Sequence, residues 1–265
     1  MNENNLDYLK EGLKYLGFGQ TLNEELEKQV RAQKPVFELQ LQKPYFNSTV
    51  NYTLHFRKSD QSDLYFFNKY DATLKPDASA SETSQTFYLH KNSGITSREA
   101  YNLLEGRAVH KDLVNAEGQS YKAWLQLDLG NKDPHGNHKV KQYHENYGFD
   151  LEKTLQPYAI KELQDPQQKE QLLRSLQRGN TVPVTALQEG REAKHYLEAN
   201  PQFKTLQVYN EHHKPVKRES IQLKQETSPA EAIKQQVAER RATKQEASPE
   251  ERQEPKRSRK KGMSP

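Results

Sequence analysis

The chain has 265 residues, of which 32% are hydrophobic and 29% are charged, so its core must be thin for its length. It contains no cysteine, which excludes disulfides and thiolate metal sites, and its net charge is only +4. No run approaches the ~18 apolar residues of a membrane-spanning helix, and the first residues lack a secretory signal pattern. We therefore expect a cytoplasmic protein without membrane contact.

The first predicted element is an N-terminal helix, which lies within residues 1–20. Leucines recur in it at spacings of three and four, at Leu6, Leu9, Leu13 and Leu16. This spacing is typical of an amphipathic helix, and the glycine at position 17 is a suitable helix stop.

Residues 21–90 are predicted to form a first α+β unit. A capping box of Thr21 and Glu24 favours a helix start there. Strands should follow at residues 36–41 and 50–57 around a turn, and the aromatic segment 64–70 should form a central strand. Residues 75–84 should form a polar loop, and a short strand over residues 86–90 follows it.

Residues 96–160 are predicted to form a second unit of the same kind. Thr96 and Glu99 make a capping box at the start of its helix, and Gly106 provides the stop. The alternation of apolar and polar residues predicts strands at 109–113, 121–127 and 139–144.

A third unit is predicted over residues 165–216. Asp165 and Gln168 make a capping-box arrangement with Pro166 at the first helical position, and Gly179 ends the helix. Strands are predicted at residues 182–187, 193–199 and 205–209.

The three units have a common spacing. The valines that open their first strands are 73 residues apart in both intervals, at Val36, Val109 and Val182. One unit of roughly 50 residues is too small to bury a sufficient core alone. The sequence therefore predicts an α+β fold of three repeated helix-plus-three-stranded antiparallel units packed together. The alternative is an α+β domain without repeats.

Residues 217–265 are predicted to be a disordered basic tail. They contain 13 Lys and Arg against 8 Glu, a net of +5, whereas residues 1–216 contain 27 basic and 28 acidic residues, a net of −1. The tail ends in a cationic cluster of Lys256, Arg257, Arg259, Lys260 and Lys261. Such clusters bind nucleic-acid backbones nonspecifically. The alternative is a solubilising end.

A second candidate lies in residues 57–70, where basic residues flank four aromatic ones. Aromatic rings on a sheet beside Arg57, Lys58 and Lys69 would suit stacking with the bases of a single strand. A central strand also needs large apolar side chains, and we favour this core interpretation, in which at least Phe66 or Phe67 is almost fully buried.

A third candidate combines three histidines with two carboxylates, at Asp133, His135, His138, His144 and Glu145. These residue types could hold zinc in a metal-dependent hydrolase. Their spacing matches no compact zinc motif, however, and the Asp-Pro and Gly-Asn pairs already explain the segment as a turn. We predict no metal, no cofactor and no enzymatic activity. The neighbouring histidines His212 and His213 lie in a predicted loop without an evident partner.

Several segments resemble an uncharacterised protein family encoded on conjugative transposons of gut anaerobic bacteria. They include YLKEGLKYLGFG, LHFRKSDQSDLYFFNKYDATL, AYNLLEGRAVHKDL, KVKQYHENYGFDLEKTL and EANPQFKTLQVYN, which together cover most of residues 8–210. The family has helix-plus-hairpin domains of unknown function and basic C-termini. The resemblance implies a bacterial cytoplasm and work beside DNA-transfer or mobilisation machinery, and it transfers no catalytic residue.

The sequence thus predicts a non-enzymatic accessory protein of a mobile element. Its α+β body would dock on an unknown partner protein, and its tail would hold nucleic acid nonspecifically. The main alternative is a protein-interaction scaffold whose tail binds no nucleic acid.

Overall fold

Two helices open the fold, and three small antiparallel sheets follow them. The computed structural model describes residues 2–76, 81–89, 94–188 and 191–222. The N-terminal helices are α1 (Glu3–Tyr15) and α2 (Asn23–Arg31). The leucines of α1 at positions 6, 9 and 13 are buried, as their spacing predicts.

The start of α2 differs from the prediction. The prediction of a capping box at Thr21 and Glu24 is wrong, because the N-cap is Leu22 and no side chain caps the helix. Leu22 already has helical backbone angles and is buried. The carbonyl oxygen of Gln20 accepts a hydrogen bond from the Asn23 amide at 3.0 Å, so a backbone turn takes the place of the side-chain cap.

The first sheet has four strands in the order β1-β2-β3-β4, which are β1 (Val36–Tyr45), β2 (Ser48–Lys58), β3 (Tyr65–Pro76) and β4 (Thr83–Tyr88). The segment 64–70 is thus part of a central strand, as predicted. The polar connection predicted over 75–84 is shorter on both sides, and residues 77–80 lie outside the described part of the chain.

The second and third sheets each have three strands and a preceding helix. Their elements are α3 (Ser97–Leu104), β5 (Val109–Val114), β6 (Ser120–Lys132), β7 (His138–His144), α4 (Leu151–Leu155), α5 (Pro166–Gln177), β8 (Val182–Gln188), β9 (Arg191–Asn200) and β10 (Thr205–Asn210). β6 and β9 are the central strands. The capping box of Thr96 and Glu99 and the Asp165 cap are both present.

The helices that precede the sheets end on positive φ angles at a regular spacing. Gln33, Gly106 and Gly179 have φ angles of 53°, 80° and 78°, and their positions are 73 residues apart in both intervals. Each lies three residues before the valine that opens the next sheet. The helix stops that precede the three sheets are therefore evenly spaced along the chain.

The strand registers agree between the second and third sheets but not in the first. Val109 pairs with Leu125 and Val182 pairs with Leu197, whereas Val36 pairs with Arg57. Val36 is 61% exposed, and the neighbouring Phe37 is buried instead. A shift of one residue in the register of a strand moves each side chain to the opposite face of the sheet. Val36 is therefore not equivalent to the other two valines.

The middle sheet contributes one face to each of two cores. Leu125 and Leu127 pack with the first sheet, α1, α2 and α3. Trp124, which points the opposite way on the same strand, packs with α4, α5 and the third sheet. Adjacent residues on β6 thus join the two halves of the body.

Buried tyrosines tie the first sheet to the start of α3. The Tyr52 hydroxyl donates to the Ser97 carbonyl oxygen at 2.7 Å, and the Tyr70 hydroxyl donates to the Ile95 carbonyl oxygen at 2.7 Å. Burial raises the pKa of both phenols well above its usual value. Both therefore act as neutral donors inside the core.

The folded body extends further than predicted at its C-terminal end. The predicted tail begins at residue 217, but Ile221 is fully buried in the second core. Its carbonyl oxygen accepts a hydrogen bond from the Ala159 amide at 3.0 Å, and Gln222 pairs with Tyr158. The compact unit ends at Gln222, and residues 223–265 lie outside the described part.

No helix of the described ranges combines the length and the apolar composition that crossing a bilayer requires.

Candidate functional site

A cleft of about 710 Å³ opens where the first sheet, α3 and the third sheet meet. The tip of the β1–β2 hairpin forms one rim, and the strands β9 and β10 form the other. Its aromatic and charged lining includes Phe46, Arg98, Tyr101, Glu198 and His213. The lining thus comes from the first sheet, from α3 with the residues after it, and from the third sheet with its flanking residues.

A row of rings crosses the mouth of the cleft. Phe46 is 82% exposed at the hairpin tip, and its ring centroid lies 5.4 Å from that of His213. The His213 ring stacks on Tyr196 with centroids 4.0 Å apart. Lys194 places its Nζ 5.2 Å from the Tyr196 centroid. These rings and the cation are the groups that stack on flat ligands.

A second pair of rings lies deeper, beside an arginine. Tyr45 and Tyr101 stack with centroids 4.2 Å apart, and the Arg98 guanidinium lies 5.3 Å from each centroid. The Arg98 Nε donates to Asn180 Oδ1 at 3.1 Å. Among the described residues no carboxylate forms an ion pair with Arg98, which is exposed. Its charge therefore remains available to a ligand.

Two carboxylates line the cleft, Glu198 and Glu105, and Arg107 Nη1 also lies 3.9 Å from the Glu105 carboxylate. Glu198 Oε1 lies 3.8 Å from Arg107 Nη1 and accepts a hydrogen bond from Thr181. Its Oε2 accepts from the Tyr209 hydroxyl at 2.9 Å. Burial, together with the charge of Glu198, raises the pKa of Tyr209, which keeps this donor protonated. The formal charges of the cleft lining therefore balance, with Arg98 and Arg107 against Glu105 and Glu198.

A second depression of about 740 Å³ continues from Arg98 along the start of α3. It adds Lys43, Lys111 and Arg178 to the lining, and of these Lys111 is paired with Glu99 at 3.0 Å. Lys43 donates to the Gly17 carbonyl oxygen, and burial lowers the pKa of its ammonium group. The groove is therefore basic beyond Arg98.

The three histidines considered as zinc ligands do not converge. His135 lies in the exposed turn before β7, and the His144 ring packs on Tyr121 at 5.3 Å. His138 is buried, and neither of its ring nitrogens has a hydrogen-bond partner. Within the described ranges no cluster of three or more His, Asp or Glu is placed to hold a metal ion. The convergence that a metal-dependent hydrolase at these residues requires is therefore absent.

The aromatic segment 64–70 contributes to the core through other side chains than those expected. Tyr65 and Tyr70 are buried, whereas Phe66 is 45% exposed and Phe67 is only partly buried. The register between β2 and β3 shifts at Asn68, which moves the buried face from one set of alternate residues to the other. The expectation that Phe66 or Phe67 is almost fully buried is therefore wrong.

Two of the three basic residues beside that strand form ion pairs, Arg57 with Asp60 at 2.7 Å and Lys58 with Asp63 at 3.1 Å. Lys69 forms no ion pair with a described residue. The burial of Tyr65 and Tyr70 favours the core interpretation. The cationic cluster of Lys256, Arg257, Arg259, Lys260 and Lys261 lies outside the described residues.

The sequence did contain a signal for the cleft. The two-residue hairpin turn of Phe46 and Asn47 has a positive φ of 37° at Phe46, a position where glycine or asparagine is usual. A phenylalanine at a turn tip is unfavourable for the turn and points to another use of its ring. His213, noted above as lacking a partner, is the ring that faces it.

Comparisons with protein-family models, with curated proteins and with solved structures found no match for this chain. The function is therefore inferred from the residues and their arrangement.

Proposed function

We propose that this protein is a non-enzymatic accessory protein of a mobile genetic element. Its α+β body docks on a partner protein of the DNA-transfer or mobilisation machinery, and its C-terminal segment binds nucleic acid nonspecifically. The resemblance to proteins of conjugative transposons supports this setting in a bacterial cytoplasm.

The observation that carries the nucleic-acid claim is the separation of charge along the chain. Residues 1–222, which end with the compact unit, contain 29 basic and 29 acidic residues. Residues 223–265 contain 11 basic and 7 acidic residues, so the whole net charge of +4 belongs to this segment. Nucleic-acid backbones attract such a segment because its cations release condensed counterions.

The terminal cluster concentrates this charge. Five cations occur between positions 256 and 261, and Ser258 is the only other residue among them. Neighbouring cations on one short segment neutralise several phosphates at once without reading the bases. The contact should therefore be independent of nucleic-acid sequence.

The body is proposed to be three units of one type, each with a helix followed by an antiparallel meander. The spacing of Gln33, Gly106 and Gly179 supports this arrangement. Units that share cores with their neighbours form one extended surface, as repeat proteins do. Such a surface suits the docking of a partner protein.

Three chains distinguish this proposal from the scaffold alternative: the whole protein, a chain ending at Gln222, and a whole chain with the five clustered cations replaced by glutamine. Fluorescence anisotropy with a labelled duplex DNA should show binding by the whole protein and strongly reduced binding by the other two. Equal binding by all three, or no binding by the whole protein at low salt, would favour the scaffold. A pull-down from cells that carry the element, with and without nuclease, separates protein partners from DNA-bridged ones.

A further inference from the structure

We infer that the cleft between the β1–β2 hairpin, α3 and the third sheet binds unpaired bases of single-stranded nucleic acid. This site is separate from the C-terminal segment, and its ligand class differs from the duplex backbone proposed for that segment. The inference depends on the rings, the backbone and the charges of the cleft itself.

The first observation is backbone strain at the two facing rings. Four non-glycine residues in the described ranges have positive φ angles, and Phe46 and His213 are two of them. Their φ angles are 37° and 55°. Such conformations are unfavourable for bulky side chains and cluster at ligand sites. Two strained residues hold their rings 5.4 Å apart across the mouth of one cleft.

The second observation is the exposure of the Phe46 ring. A ring that is 82% exposed contributes little to the core, yet it is held beside the stacked pair of His213 and Tyr196. Bases stack on such rings whatever their sequence, because every base has a π-face. Phe46 is thus available for stacking without rearrangement of the core.

The third observation is the charge next to the rings. Arg98 forms no ion pair with a described carboxylate, while Arg107 lies 3.8 Å from Glu198 and 3.9 Å from Glu105, so the charges of the cleft lining balance. Lys43 and Arg178 add positive charge on the far side of Arg98. A strand whose bases stack at the mouth would place its phosphates along this basic groove.

The cleft is tested in the whole chain after the five clustered cations have been replaced by glutamine, so that the C-terminal segment contributes little. The probe is a fluorescein-labelled oligothymidine of about 12 nucleotides, within the range of single-strand site sizes. We expect this chain to bind the probe, and a duplex of equal length to compete poorly.

Phe46→Gly in this background is the decisive variant. It removes the ring and relieves the positive φ, so thermal melting should stay the same or rise. Binding of the oligothymidine should weaken at least about fivefold, since about 1 kcal/mol of stacking corresponds to that factor. Arg98→Ala should weaken binding as well. Tyr8→Ala, which removes a 72% exposed ring on α1, is the matched control and should leave binding unchanged.

The location is checked by ultraviolet crosslinking of an iodouridine-containing oligonucleotide, followed by mass spectrometry. Crosslinks at Phe46, Tyr196 or His213 would support the site. The inference is overturned if Phe46→Gly binds as tightly as its parent, if crosslinks map elsewhere, or if an acidic peptide displaces the probe as well as unlabelled oligothymidine does. The last result would identify the cleft as a peptide site. None of these outcomes alters the test of the C-terminal segment.

Discussion

Position 179 has two requirements that only glycine meets. Its φ angle is 78°, which L side chains rarely adopt, and a Cβ atom built on it would lie 2.7 Å from the Ala108 carbonyl oxygen. This contact joins the end of α5 to the start of the second sheet. The Arg107 side chain also donates from Nε to the Gly179 carbonyl oxygen at 2.9 Å. The close approach between the end of α5 and the second sheet therefore depends on the absence of a side chain at position 179.

Replacement of Gly179 by alanine should destabilise the fold by about 2–5 kcal/mol, from the left-handed backbone and the steric overlap together. Gly118 is the matched control, because its φ is 79° and a Cβ there would meet nothing within 4 Å. Gly118→Ala should cost only about 1–2 kcal/mol. Urea unfolding of both variants measures the difference, and equal losses would contradict the close approach at Gly179.

The buried phenols of Tyr52 and Tyr70 make stability fall at alkaline pH. Their pKa values are raised mainly by burial, so the folded protein keeps both protons where the unfolded chain loses them, near pH 10. Their contribution is therefore fully present below about pH 9 and decreases as the pH rises further, by about 1.4 kcal/mol per pH unit for each phenol.

Urea unfolding between about pH 7 and pH 11 checks this dependence. The double variant Tyr52→Phe, Tyr70→Phe should be less stable at neutral pH, because the donors to Ser97 and Ile95 are lost, at about 0.5–1.5 kcal/mol each. Its stability should fall less steeply above about pH 10. Tyr8→Phe, at an exposed ring, should keep the original slope, and parallel slopes for all three proteins would refute the assignment.

Among the elements, the short 3-10 helix Arg218–Ile221 places the side chain of Ile221 in the second core. A chain that ends at Glu219 lacks Ile221 and should lose about 2–5 kcal/mol, as large-to-small core substitutions do. A chain that ends at Gln222 keeps this side chain and should melt like the whole protein. Ile221→Ala in the whole protein provides the control. If the chains ending at 219 and 222 melt alike, Ile221 does not contribute to the core.

Local signals in the sequence predicted most of these elements. The capping residues Thr96 and Asp165 and the stops at Gly106 and Gly179 have the expected roles, because they act through backbone groups within one turn. The alternation of Tyr52 and its neighbours placed β2 correctly, since half-buried strands have a period of two residues.

The errors arose where distant contacts decide the structure. The pairing of β1 with β2 decides which alternate residues of β1 are buried. The extra residue Asn68 in β3 likewise arises from the pairing of β3 with β2. Ile221 appears in a polar, charged segment, and only its contact with the second core shows that it belongs to the body. The cleft forms only in the folded chain, where the β1–β2 hairpin and the residues after β10 bring the rings of Phe46 and His213 together.

The whole molecule combines a body of zero formal net charge with a cationic end. The two cores of the body share the middle sheet, where Trp124 and Leu125 face opposite sides. The net charge of +4 belongs entirely to residues 223–265. The proposed division of labour follows from this separation, with protein docking on the body and phosphate contact at the end of the chain.

The salt dependence of duplex DNA binding by the whole protein tests this account most directly. If the five cations between Lys256 and Lys261 neutralise phosphates, the log–log slope should be near −0.9 per contact, or about −4.5 in total. Affinity should then fall about 500-fold between 50 and 200 mM salt. A nearly flat slope, or the same slope and affinity in a chain that ends at Gln222, would contradict the account.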